Sequence, residues 1–172
     1  MPVPAPDQAE PRGPPTGIIV PAIGLDAPVV PVSLIEEQVA ATTQVIWDVL
    51  AEHTAGWHET SAMLGEPGNT VLNRHNTSNG EAFRDLYRLE IGNQIILHSR
   101  EITHTYLVSH TLVMPEKGQP LEARFQNAQV ILPTNDERLT LVTCHPYGSL
   151  RNRLVVIARP AEQDSVSQAS EE

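Results

Sequence analysis

The chain has 172 residues, 40% of them hydrophobic but only 4% aromatic, and a formal net charge of -10. That length suits one domain with a real core, which aliphatic side chains must fill. The negative charge argues against a nucleic-acid backbone or an anionic membrane surface as a direct partner, since both call for clustered Lys and Arg; it reads as solubility.

Residues 1–16 are rich in Pro and read as a flexible or extended tether. No secretory signal is visible, and no stretch approaches the roughly 20 apolar residues of a membrane span. Gly17-Ile18-Ile19-Val20 and Ala27-Pro28-Val29-Val30 read as short strand pieces broken by Pro. Residues 34–53 are ambiguous: Leu34 to Ala41 has the composition of a helix start and Thr42 to Trp47 that of a strand; a family resemblance carried by residues further along the chain implies a strand around 44–48 and a short helix near 51–56. Gly56-Trp57-His58 reads as a turn with an aromatic anchor, and Trp47 and Trp57 as core.

Gly65-Glu66-Pro67-Gly68-Asn69 is a turn signal, followed by a short strand Thr70 to Asn73 and then Arg74-His75-Asn76. Phe83, Leu86, Tyr87 and Leu89 have helix-like spacing. Gln94 to His98 and Thr103 to His110 read as strands with a turn around Arg100-Glu101. His98, His104 and His110 lack an accompanying carboxylate or Cys arrangement for a metal and read as exposed strand histidines. Met114 to Gln126 is expected to be mostly loop, and Gln129 to Pro133 a strand. The acidic stretch 161–172 reads as disordered. Many short strands with turns between them imply an all-β barrel or sandwich.

The chain is organised around Leu139-Thr140-Leu141-Val142-Thr143-Cys144, which holds its one cysteine. The run reads as a strand; Pro146 and Gly148 then mark a turn, and a second apolar run begins at Arg153. If the two strands pair antiparallel, the end of the first lies near the start of the second. A thiol and a guanidinium then share one rim of a sheet. A lone cysteine is commonly just a small buried hydrophobe, but exposure and a neighbouring cation are what a nucleophilic thiol needs. His145 follows Cys144 directly, and adjacent strand residues point to opposite faces, so it is poorly placed as a base for that sulfur.

Thr140-Leu141-Val142-Thr143-Cys144 resembles the TLxTC signature of sortases, the cysteine transpeptidases that attach proteins to bacterial cell surfaces. Asn152-Arg153-Leu154 matches the family's catalytic Arg at the opening of the next strand. Pro21-Ala22-Ile23-Gly24 is similar to a segment joining the family's first strands. Pro146-Tyr147-Gly148 resembles classes C, D and E; Asn69-Thr70-Val71-Leu72 and Gly80-Glu81-Ala82-Phe83-Arg84-Asp85-Leu86 resemble classes D and E.

The resemblance implies a closed β-barrel of about eight strands over residues 17–160 and a catalytic set of His75, Cys144 and Arg153. It implies a substrate groove bordered by Arg74, Asn76, Thr143 and His145. It further implies an LPxTG-like sorting peptide as substrate, an amine of the cell wall or a pilin as acceptor, no metal or organic cofactor and a monomer. The same resemblance implies an extracellular enzyme with an N-terminal membrane anchor outside this sequence. One position departs from the pattern: sortases usually have Gly before the His, where this chain has Arg74, and Gly tolerates backbone angles that Arg does not. Two other readings stay open, a pilus-building class C-like polymerase and a sortase-fold binding module without activity.

Overall fold

The computed structural model describes residues 13–32, 34–39, 42–47, 54–74, 82–100, 102–145 and 151–161. Among these residues ten strands are formed: β1 (Gly17–Val20), β2 (Leu25–Val32), β3 (Leu34–Val39), β4 (Thr42–Trp47), β5 (Ala55–His58), β6 (Asn69–Asn73), β7 (Gln94–His98), β8 (Thr103–Pro115), β9 (Arg138–His145) and β10 (Asn152–Pro160). Eight of them close a barrel in the order β1-β2-β5-β6-β9-β10-β8-β7, while β3 and β4 pair as a separate hairpin. The pairs β2–β5 and β6–β9 are parallel, and the other barrel pairs are antiparallel. Closure leaves the barrel strands few open edges.

The alternation of side chains across each strand sorts them between the barrel interior and its outer face. In β9 Leu139 and Leu141 enter the core, and in β10 Leu154, Val156 and Ala158 do, meeting Leu72 of β6 and Tyr106 of β8. The intervening residues, Thr140, Val142 and Cys144 on β9 and Arg153, Val155 and Ile157 on β10, therefore share the outer face. Phe83, Leu86 and Leu89 also join the core, through turns that lead into a 3-10 segment at Leu86–Arg88. The Tyr106 hydroxyl, fully buried, donates to Glu137 at 2.9 Å.

Several local expectations are corrected. β2 runs through Pro28 and Pro31 without a break, because its partner changes there: residues up to Pro28 pair with β1, and those from Val29 pair with β5. Leu34–Val39 is a strand, paired with β4 from Leu34↔Trp47 to Val39↔Thr42, rather than a helix start. Gly56-Trp57-His58 lies within β5 rather than in a turn, held by parallel pairing of Val30–Val32 with Gly56–His58. The expected helix near 51–56 falls partly outside the described residues, and its last two positions belong to β5. β8 extends five residues beyond His110, because β10 pairs with it as far as Asn152↔Pro115. The following loop contains a helix, α1 (Leu121–Asn127). The expected strand at Gln129 to Pro133 is instead a 3-10 turn, Ala128–Ile131. Trp57 is core, as expected.

Candidate active site

The antiparallel register of β9 and β10 sets Cys144 directly opposite Arg153. Both face outward, and Arg153 Nη1 donates to Cys144 Sγ at 3.1 Å. The cysteine is buried and the arginine half-buried. A charged donor on sulfur in such a partly desolvated place makes a stronger bond than a neutral one would. The sulfur is thereby held at a fixed point on the barrel rim, with a planar cation beside it.

From that point a groove runs down the outer face. Its cavity, about 230 Å³, is lined by Val142, Val155 and Asn73 among others, with Arg153 at one end and His58 toward the other. One wall is the segment from Ala128 to Ile131. That wall is tied to the barrel by a buried side chain: Asn69 Nδ2 donates to the carbonyls of Val130 and Leu132 at 2.8 and 3.0 Å, and Thr140 Oγ1 donates to Asn69 Oδ1 at 2.6 Å. At the start of that wall Asn127 Nδ2 donates to Glu116 at 3.2 Å.

His58 is buried at 4% exposure on the outer face of β5. Burial pushes its pKa down to about 4, partly offset by a hydrogen bond with the Asn73 side chain, so the imidazole is neutral at pH 7. β5 lies tightly between the side chains of β2 and β6 beside it: a Cβ on Gly56 would lie 2.9 Å from Val32 Cγ1 and 3.0 Å from Asn73 Oδ1.

A pH dependence follows from His58. Its folded pKa of about 4 lies below the ordinary value of 6.5, so the unfolded chain binds more protons between these values. Stability from this group is complete above pH 6.5 and is lost as the pH falls toward 4, by at most about 3 kcal/mol. His58→Gln is expected to flatten the decline of melting temperature between pH 7 and 4.5. Equal declines in the two proteins would remove His58 as the cause.

The expected site residues separate into groups. Cys144 and Arg153 are brought together. Thr143 and His145 alternate with Cys144 and face the other way; the His145 ring lies 6.0 Å from that of Tyr87. Arg74 is buried at 5% exposure beyond the end of β6, its backbone N–H donating to Val142 at 3.2 Å, and burial lowers its pKa. His75 and Asn76 lie outside the described residues. The groove is floored instead by Asn73, Val142 and Val155. Spacing carried that signal, since Val142 and Val155 each lie two residues from Cys144 or Arg153 and so share their face. Nothing local marked His58. Among the described residues, no group of three His, Cys, Asp or Glu side chains is arranged to hold a metal, and no helix is long and apolar enough to cross a membrane.

The sortase domain pattern matches residues 18–161. The chain belongs to the sortase family. Membership makes it a cysteine transpeptidase by family, and the closed barrel described above is that family's fold. Among solved structures it is similar to a lid mutant of sortase A from Corynebacterium diphtheriae, at 22% identity and a TM-score of 0.63, over 92% of this chain and 75% of that one. It is also similar to the sortase D5 transpeptidase from Clostridium perfringens, at 24% identity and a TM-score of 0.61, over 85% and 78% of the two chains. Sortase C-1 from Actinomyces oris aligns at 19% identity with a TM-score of 0.61, over 86% of this chain and 73% of that one. These neighbours span classes A, C and D, so the likeness gives this sortase its fold without a subclass. No curated protein matches the sequence.

Proposed function

We propose that this sortase cleaves an LPxTG-like sorting signal through a thioester on Cys144 and transfers the acyl fragment to a surface amine. The observation that carries the reading is the Arg153–Cys144 pair at 3.1 Å, standing at the head of an apolar-floored groove. Cys144 sulfur, having passed its proton to His75, attacks the carbonyl carbon of the signal's Thr, forming a C–S bond. Arg153, already aimed at the sulfur, is well placed to meet the negative charge that passes to the carbonyl oxygen. His75 is the acid: it gives a proton to the departing amine as the C–N bond breaks. His75 takes this role from the family resemblance, and it follows Asn73 of the groove lining by two residues in sequence. The acceptor amine then attacks the thioester, His75 takes its proton, and the sulfur leaves. The two steps balance without a metal, a redox partner or an organic cofactor.

The fragment retained between the two steps is the N-terminal, acyl part of the substrate. A groove leading away from Cys144 suits that part, which must stay bound while the leaving peptide exchanges for the acceptor. The class D or E resemblance, a monomeric state and attachment to the outer face of a membrane belong to the same reading. The test is transfer itself. The protein is incubated with peptides ending in LPxTG, LAxTG and LPxTA, with triglycine as the amine, and products are followed by chromatography. A peptide–triglycine conjugate that disappears with His75→Ala is the expected result. Absence of conjugate across the peptides, or its undiminished formation with His75→Ala, contradicts the reading.

A further inference from the structure

The groove does not end at His58. A second cavity of about 420 Å³ lies on the same outer face, and His58 and Ile131 line both spaces. Its two walls are the β5–β6 connection, with Ser61, Ala62 and Pro67, and the segment leading into β9, with Leu132 and Pro133. Among the described residues, no Asp, Glu, Lys or Arg side chain lines it, and the imidazole it shares with the groove is neutral at pH 7 because burial holds its pKa to about 4. Leu132 keeps 46% of its surface exposed there.

Both walls are fixed. Ser61 Oγ donates to the His58 carbonyl at 2.7 Å and accepts from the Val71 N–H at 3.0 Å. Trp57 Nε1 donates to the Ala62 carbonyl at 3.1 Å. Across the cavity, Asn69 holds the Val130 and Leu132 carbonyls, and the Gly68 N–H donates to Asp136 at 3.0 Å. Such a space is a standing feature of the barrel, unlike a gap between loose loops.

Its position along the groove identifies what would fill it. Asn69, on its lining, bonds Thr140. From Cys144 to Thr140 is four residues of β9, about 13 Å at roughly 3.3 Å per residue. An extended peptide has nearly the same rise. With the residue before the scissile bond at Cys144, the fifth residue back reaches the level of Thr140. In an LPxT signal that is the residue just ahead of Leu.

We propose that this second cavity is a subsite for the two residues preceding the sorting motif, and that it selects uncharged, apolar ones. The proposal rests on the peptide reading above and extends the recognised sequence beyond the motif. An acidic or basic pair there would lose water without gaining a partner among these walls.

The experiment compares three peptides sharing whichever motif the enzyme acylates: acetyl-capped directly on the first motif residue, extended by Val-Ala, and extended by Asp-Asp. Acylation kcat/KM is read for the wild type, for Ala62→Phe, which fills the cavity, and for Leu132→Asp, which places a charge at an already exposed position. The wild type should gain roughly tenfold from Val-Ala, the worth of burying a small apolar side chain or two, and nothing from Asp-Asp. Either variant should erase the gain while acylating the capped peptide within about twofold of wild type. Equal rates for the capped and Val-Ala peptides, or a gain that survives Leu132→Asp, overturn the subsite and leave the peptide reading standing. No acylation by any motif peptide overturns both.

Discussion

Cys144→Ala is expected to abolish acyl-enzyme formation and transfer while the barrel stays folded. No other thiol exists in the chain to take over. A hydroxyl or backbone group on the same rim would lack the nucleophilicity of sulfur. The structural cost is small. Cys144 is buried at 3% exposure but on the outer face, outside the cluster that fills the barrel, so removing its single sulfur should cost about 1 kcal/mol, or a few degrees of melting temperature at this size. Activity measured against melting temperature separates the roles: a fully folded variant with wild-type turnover removes Cys144 from the chemistry, and an unfolded one makes it structural.

Arg153→Lys carries the second large effect. Charge is kept, but the geometry is not. The guanidinium reaches Cys144 Sγ with one nitrogen at 3.1 Å, leaving the rest of the planar fork for a carbonyl oxygen. An ammonium is a compact, strongly hydrated point charge and cannot hold both directions at once. Loss of a preorganised donor to a developing oxyanion commonly lowers kcat by roughly a hundredfold or more. The fall is expected in kcat with KM little changed, since the groove floor of Val142 and Val155 is untouched. A variant with wild-type kcat would show that Arg153 holds the sulfur in the resting enzyme only.

How far the sequence revealed this site depended on whether the controlling contacts were local. Cys144 and Arg153 were legible because two-residue alternation and antiparallel pairing need only the two strands and the turn between them. Gln129 to Pro133 was not. Its composition reads as a strand, yet the carbonyls of Val130 and Leu132 are taken by the side chain of Asn69, 61 and 63 residues away. Leu34–Val39 carries Glu-Glu-Gln, which favours a helix start, and pairing with β4 overrides that preference. Gly56–His58 looked like a turn until β2 supplied a parallel partner. His58 shows the same limit from the functional side: its neutrality comes from burial between the two cavities, and no neighbour in sequence announces it.

In the proposed reaction this sortase carries its substrate as a thioester on Cys144. Intact-mass spectrometry tests that most directly, after brief mixing with each of the LPxTG, LAxTG and LPxTA peptides and rapid quenching in acid. A mass increase equal to the N-terminal peptide fragment, lost on treatment with hydroxylamine and absent from Cys144→Ala, is the expected result. Peptide cleavage that persists in Cys144→Ala, or an intact protein mass unchanged by every peptide, would contradict it.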